Sequence, residues 1–246
     1  MNPRSTTSDP QAGRSSRSRP KLDRDAVVDA ALALGDAEGI EAITIRGLAQ
    51  KLSVTPMALY WHFADKEAVL AATADRLWDE ALGELDALPP ANGRDAGAES
   101  DDPWAPLRGT LDALVQVMRS HPALAALMPG RVVTCEAGLV ITERTLSFLA
   151  DRGLDRSSAF QVARFVLDAA VMLVQNEPGA GIFDPQKKAE VIKAKYEALA
   201  ALPVDRYPHV VASSDLIGGL GDTKEYIEES IALIVAGARY RHEALD

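Results

Sequence analysis

The amino-acid sequence predicts an all-α protein. Alanine and leucine dominate the 246-residue chain, which is 47% hydrophobic, and long alternating runs of β-branched residues are missing. Apolar side chains instead recur at intervals of three and four residues, the spacing of a helix with one buried face. The length is enough for two modest domains or one large one.

The composition favours a protein of the reducing cytoplasm. Cys135 is the single cysteine, so the chain can form neither an intramolecular disulfide nor a thiolate metal site. No uninterrupted apolar run reaches the roughly 18 residues that a membrane span needs. The N-terminus has no apolar core and does not resemble a signal peptide. We therefore expect a cytoplasmic protein.

The charge is distributed unevenly. The net charge is −10, but the first 24 residues carry six basic and two acidic side chains. This distribution is typical of a protein that touches DNA at one end only, although a solvated tail without a partner is the alternative. The Ser/Arg/Pro-rich residues 1–21 are predicted to be a disordered arm. Its candidate DNA contacts are Arg14, Arg17 and Arg19, together with Lys21.

Four helices are predicted in residues 22–82. The first ends at Gly39, the second covers about 45–52, the third is short and ends near His62 or Phe63, and the fourth is longer. Small polar residues precede each helix and are suited to cap its free backbone N–H groups. The predicted N-caps are Asp23, Thr44, Thr55 and Asp65. Pro56 occupies the first position of the third helix, where a missing N–H costs nothing.

A second helical domain is predicted over residues 104–246. Residues 83–103 are acidic and rich in Pro, Gly and Ala, which indicates a linker or loop. Periodicity resumes at Trp104, and residues 204–221 are predicted to be irregular. After the first helix, a short helix is predicted to end at Pro129-Gly130, and the remaining predicted helices lie within 134–152, 156–177, 185–202 and 223–243.

Three short helices followed by a longer one, with a tight turn between the second and third, form a helix-turn-helix. In that motif one helix enters the DNA major groove while its neighbour braces it across the backbone. The third helix carries Tyr60, Trp61 and His62, and an exposed aromatic cluster indicates a binding surface. The alternative is that these aromatic residues pack the core of a small domain.

Several side chains of this unit suit contact with DNA. Arg46 can reach guanine or a phosphate, and Met57 and Ala58 suit the thymine methyl group. Lys66 lies in the first turn of the fourth helix, where the free N–H groups favour an anion. The predicted DNA-contacting residues are Thr44, Arg46, Thr55, Met57, Ala58, Tyr60, Trp61, His62 and Lys66.

Residues 23–82 resemble the DNA-binding domain of the TetR family of transcriptional regulators. The resemblance rests on AALALGDAEGIEAITIRGLAQKLSV and LYWHFADKEAVL, and it is especially close to the tetracycline repressor subgroup. It implies a homodimer with a C-terminal helical ligand domain and a near-palindromic operator. It also implies DNA contacts at the same predicted positions, apart from Thr55 and Trp61. Ile45 and Gly47 stand where relatives often carry polar or basic residues.

The resemblance further implies that helices 156–177 and 223–243 form a four-helix bundle across the dimer axis. A ligand pocket would lie in the helices of each subunit, although most of its candidate residues could be plain core. These candidates are Trp104, Met118, His121, Met128, Phe148, Phe165, Asp168, Met172, Gln175 and Asn176. No histidine matches the metal-binding histidine of the tetracycline repressor. We expect a largely apolar organic effector, with no metal or cofactor.

Together these patterns predict a ligand-responsive regulator, most simply a repressor that its effector releases from DNA. An enzyme is not expected, because the chain has no HExxH motif, no Ser/His/Asp signature and no phosphate-cradling glycine loop. The glycines of 218–221 follow no βαβ unit and indicate a flexible loop. The remaining alternative is an architectural DNA-binding protein without an effector.

Overall fold

The computed structural model describes residues 22–88 and 102–244. The predicted arm, with Arg14, Arg17 and Arg19, lies outside these residues, as does most of the predicted linker. Across the described ranges the secondary structure is helical and contains no strand, which confirms the predicted fold class. Short 3₁₀ turns occupy Ile40–Ala42 and Ala125–Gly130.

Eleven α-helices follow one another in the described part of the chain. They are α1 Arg24–Glu38, α2 Ile45–Leu52, α3 Pro56–Tyr60, α4 Lys66–Ala87, α5 Ala105–Ser120, α6 Glu136–Asp151, α7 Arg156–Gln175, α8 Pro185–Ala200, α9 Pro208–Ala212, α10 Ser214–Gly218 and α11 Thr223–Glu243.

The four predicted N-caps are confirmed. The side chains of Asp23, Thr44, Thr55 and Asp65 each accept a hydrogen bond from the backbone N–H three residues later, at 2.9, 3.0, 3.3 and 2.8 Å. Each bond satisfies a backbone donor that the helix itself leaves free. The starts of α1 to α4 are therefore set by local sequence.

Two predicted irregular segments are partly helical. Helix α4 continues to Ala87, so the first five residues of the predicted 83–103 linker are helix. The reason is packing, because Leu82 and Leu85 are partly buried against the core and compensate for Gly83. Residues 204–221 contain α9 and α10, which pack on α8 and on each other.

Helix α4 belongs to both halves of the molecule, because it packs on α1 and also on α5, α6 and the second 3₁₀ turn. Trp78, at 1% exposure, donates its indole N–H to the carbonyl of Met128 at 3.0 Å. Asp75 accepts two bonds from Arg131, at 2.7 and 3.0 Å. The segment after α5 is thereby attached to α4.

The same segment also holds the end of α1. His121 lies with Nδ1 2.9 Å from Asp36 of α1 and with Nε2 3.4 Å from Glu80 of α4. Gly35 of α1 lies so close to Leu124 that an added Cβ would come within 2.7 Å of the leucine Cδ2. The α5–α6 connection therefore touches the N-terminal domain at two helices.

Helix α7 is apolar on both sides but buried on one. Its mean hydropathy is 1.4 over 18 residues, so by length and composition the helix could cross a membrane. Uninterrupted apolar runs do not predict this, because charged residues interrupt the helix. Half of that window is buried, and the helix packs on α5, α6 and α11. The buried half is typical of a core helix, and the exposed half carries Phe160, Phe165 and Met172.

We expect the Trp78→Phe substitution to lower the free energy of unfolding by roughly 1 to 3 kcal/mol. The smaller ring leaves a cavity and removes the hydrogen bond to Met128. Urea denaturation at one fixed protein concentration measures the change. The control is Trp61→Phe, because Trp61 is 84% exposed and the same substitution there removes no burial. Equal midpoints for the two variants would contradict this account.

Candidate nucleic-acid interface

The turn between α2 and α3 is sharp and well defined. Ser53 has φ 54° and ψ 42°, a left-handed conformation that is uncommon outside glycine. Its backbone N–H and that of Val54 donate to the last carbonyls of α2, with Val54 bonded to Ala49 at 2.9 Å. Leu48 and Leu59, both fully buried, anchor the inner faces of the two helices. The two helices are therefore held at a fixed angle, as a helix-turn-helix requires.

The outer face of α3 is exposed and apolar. Met57 and Tyr60 of α3 are 67% and 50% exposed, and Trp61, which the structure places directly after the helix, is 84% exposed. The nearby aromatic residue that does pack in the core is Phe63, at 2% exposure. Core packing therefore does not explain Tyr60 or Trp61. His62 and Ala58 are half-buried beside them. The exposed surface so formed is chemically suited to base edges and phosphates.

The other predicted DNA-contacting residues lie at the start of α2, at the start of α3 and at the start of α4. Thr44 and Thr55 use their hydroxyl oxygens as cap acceptors, and each hydroxyl keeps its proton for donation to a phosphate. Arg46 is exposed near the start of α2. Lys66 is partly occupied, because its ammonium lies 3.7 Å from Glu41, although a 93% exposed carboxylate binds it weakly.

Arg24, which the sequence patterns do not single out, contacts the end of α3. Its Nη1 donates to the carbonyl of His62 at 2.6 Å, and its guanidinium lies 4.2 Å from the centre of the Phe63 ring. Arg24 and His62 are 38 positions apart in the sequence, so no local spacing reveals the contact.

The ten candidate ligand residues of the C-terminal domain separate into two groups. Those in the interior are tightly packed. Trp104, Met118 and Met128 are buried, Phe148 stacks edge-on against Trp104 with ring centres 5.7 Å apart, and His121 is held by its two carboxylates. The structure shows these side chains in contact with protein.

The second group lies on the outward face of α7 and beyond its end. Phe165, Asp168, Met172, Gln175 and Asn176 are all exposed. Asp168 lies 3.4 Å from Arg164, and the Asn176 amide donates to the carbonyl of Met172 at 2.8 Å. The ten residues therefore do not line one common cavity, and their ligand role stays a prediction.

Two grooves border the C-terminal helices. One, of about 260 Å³, lies between α7 and α11 and includes Phe165. The other, of about 600 Å³, lies between α5 and α11. Apart from its apolar floor of Val115, Ile227 and Ile231, the larger groove is polar. Its charged side chains are Asp112, Arg119, Glu177, Lys224 and Glu228.

The charges of the larger groove are partly paired. Arg119 binds Glu177 at 2.6 Å, and Lys224 lies 3.5 Å from Glu228. Burial raises the pKa of Asp112, while nearby Arg108 opposes that shift and Glu228 adds to it. None of the ten predicted ligand residues lines this groove. Among the described side chains, no group of three or more His, Cys, Asp or Glu is placed to hold a metal ion.

Comparison with known proteins places both halves of the chain in one family. Residues 27–73 match the model of the bacterial regulatory proteins of the tetR family, and residues 97–241 match the tetracyclin repressor-like C-terminal domain. An HTH-type transcriptional regulator of Saccharopolyspora erythraea is 28% identical over 223 residues, which cover 90% of this chain and 86% of that protein.

A stronger similarity covers a shorter stretch of the chain. Tetracycline repressor protein class D of Escherichia coli is 48% identical over 54 residues, 22% of this chain and 25% of that repressor. Among solved structures, the TetR family protein ActR of Streptomyces coelicolor in complex with actinorhodin superposes with a TM-score of 0.68. It is 24% identical and covers 89% of this chain and 96% of its own.

The fold, the exposed outer face of α3 and the two family matches agree. The match to the C-terminal domain alone spans more than half of the sequence. The chain belongs to the TetR family of transcriptional regulators, with an N-terminal helix-turn-helix DNA-binding domain and a C-terminal helical ligand-binding domain.

Proposed function

We propose that this protein is a cytoplasmic repressor that binds a near-palindromic operator as a homodimer and is released by a small organic effector. The observation that carries the DNA half of the proposal is the outer face of α3. Met57 and Tyr60 on α3 and Trp61 directly after it are large and exposed, whereas Leu59 on the inner face of α3 is fully buried. A stretch of 54 residues, 22% of the chain, is 48% identical to the class D tetracycline repressor, and the family model that matches residues 27–73 includes this unit.

The dimer is supported by apolar surface that the single chain leaves open. On α7 and α11 the outward side chains are half or more exposed, a pattern typical of a helix face that a second subunit covers. These side chains are Phe160, Phe165, Met172, Tyr226, Leu233 and Tyr240.

The larger groove supports the effector half. Its volume of about 600 Å³ falls in the range of small-molecule sites, and its charges supply orienting contacts over an apolar floor. Its polar rim favours an effector with charged or hydrogen-bonding groups, which modifies the expectation of a largely apolar molecule. ActR, a structural neighbour, was solved in complex with actinorhodin. The relatives are regulators, and we propose no catalytic activity.

The proposed release is a shift between two arrangements of the DNA-binding domains. An effector favours release only to the extent that it binds one arrangement more tightly than the other. The route runs through α4 and the α5–α6 connection, because Trp78, Asp75 and His121 join the two domains there.

The function is tested by a gel shift on the promoter beside the protein's own gene, followed by a panel of small organic molecules. We expect Tyr60→Phe to weaken binding about tenfold, because it removes an exposed hydroxyl that we propose donates to a phosphate. The control is Tyr207→Phe, the same change on the α8–α9 turn. Absence of any shift would defeat the proposal, and a shift that no compound reverses would favour the architectural alternative.

Deletion of residues 1–21 tests the role of the arm. If its arginines neutralise phosphates, the plot of log K against log salt becomes shallower by about 0.9 for each phosphate that the shortened chain leaves unneutralised. Binding titrations over a range of salt concentrations measure the slope. A full-length chain with Lys187→Gln and Lys188→Gln, which removes positive charge from α8 instead, serves as control. The same slope after deletion would show that the arm does not contact DNA.

The dimer is tested by Leu233→Glu. Leu233 is 73% exposed on α11, and a carboxylate there would meet the apolar face of the second subunit, so we expect a shift towards monomer. Sedimentation velocity at micromolar concentration measures the mass. Val133→Glu is the control, because Val133 is 63% exposed on a turn outside α7 and α11. A stable Leu233→Glu dimer would place the interface elsewhere.

A further inference from the structure

The short helix α3 cannot hold its own position. It has five residues, little more than one turn, and a helix of that length gains too few internal hydrogen bonds to be stable alone. Its beginning is fixed by the Thr55 cap and its inner face by buried Leu59. Its far end leads into the turn that carries Trp61 and His62. A contact at that end decides where these two side chains point.

Arg24 supplies that contact. Its guanidinium donates to the His62 carbonyl at 2.6 Å and lies 4.2 Å from the centre of the Phe63 ring. Phe63 is 2% exposed, so its ring is a fixed platform on which the planar guanidinium of the exposed Arg24 side chain lies. One side chain thereby contacts both the backbone carbonyl of His62 in the turn and the buried ring of the next residue, Phe63.

The base of Arg24 is fixed as well. Arg24 is the first residue of α1, directly after the Asp23 cap, which accepts from the N–H of Ala26 at 2.9 Å. Leu22, just before the cap, is partly buried against the core. The guanidinium is therefore attached to a rigid helix start, and it transmits the position of α1 to the end of α3.

We propose that Arg24 is a positioning residue for DNA recognition, which aligns the C-terminal end of α3 and the side chains of Trp61 and His62 with the bases. The inference rests on the proposed DNA-binding function. A different role would be a direct contact with a phosphate, since the guanidinium has five N–H donors and the His62 carbonyl takes one. The two roles differ in what the removal of Arg24 does to binding.

A positioning residue affects specific binding. If the end of α3 moves, its side chains no longer meet the base edges, while the electrostatic attraction to any duplex is kept. A phosphate contact, by contrast, contributes to every duplex and to the salt dependence, and its removal would make the log–log slope shallower by about 0.9. A lysine would replace a simple charge well, but it would not reproduce the stacked, planar contact.

The experiment uses the full-length chain and a duplex that the wild-type protein selects from a random pool, with a shuffled duplex as the non-specific probe. Fluorescence anisotropy gives the affinity for both duplexes over a range of salt for Arg24→Gln and Arg24→Lys. The control is Arg206→Gln, which removes an equal charge from the α8–α9 turn. Thermal unfolding of each variant shows that the fold is kept.

We expect Arg24→Gln to bind the selected duplex about tenfold more weakly, because it loses a hydrogen bond from a charged donor. Its affinity for the shuffled duplex and its salt slope should equal those of the wild-type protein. Arg24→Lys should recover part of the loss. The positioning role would be overturned if Arg24→Gln kept wild-type affinity, or if it lost affinity equally for both duplexes with a shallower slope. Neither result would overturn the proposed DNA-binding function. Failure of the wild-type chain to select any duplex would overturn the proposed function itself.

Discussion

The burial of one helix, α4, in the continuous hydrophobic core that joins both domains constrains the whole molecule. Helix α4 packs on α1 on one side and on α5, α6 and the second 3₁₀ turn on the other, and its buried residues, Val69 and Trp78 among them, belong to that core. A helix packed at interior density on both sides cannot move against one neighbour without disturbing the other. The DNA-binding domain is therefore mechanically continuous with the ligand-binding domain, although the chain is readily divided into two halves.

The contacts at this junction are of different kinds. Trp78 contributes apolar burial with one hydrogen bond, whereas Arg131 and Asp75 form a two-bond ion pair. Apolar packing depends steeply on shape, while a partly buried ion pair of this kind tolerates more rearrangement. In the proposed effector-driven release, the ion pair can adjust to a changed angle, whereas the packing around Trp78 limits how far that angle changes.

The features that could be predicted from the sequence are local ones. The four N-caps and the start of α11 at Asp222 follow from interactions within three residues, and periodicity locates α5 and α7. The sequence places the end of α4 too early because Gly83 and the following prolines look like a break, and only packing of Leu85 shows otherwise. The exposed aromatic cluster is predictable because Leu59 and Phe63 already account for the core.

Sequence patterns fail where distant segments meet. The Arg24–His62 contact joins residues 38 positions apart, and periodicity cannot distinguish a helix face that lines a pocket from one that faces a second subunit. For that reason the sequence groups Phe165 and Met172 with the interior Met118 and Met128, although α7 turns the first two outward. Side chains of the larger groove, such as Arg119, are ordinary surface charges in the sequence and give no signal.

The contacts between the α5–α6 connection and α1 have a consequence for the design of chimeras of related regulators. A hybrid that takes its N-terminal helices from one protein and its remaining helices from another is most simply joined within α4. Here Gly35 and Asp36 must also match Leu124 and His121, because a larger residue at 35 would collide with the leucine. Replacement of Asp36 would also leave the histidine without a partner on α1. A chimera therefore keeps these contacts when residues 121–131 come from the same protein as the N-terminal helices. The junction between the two proteins then lies after residue 131 and not within α4.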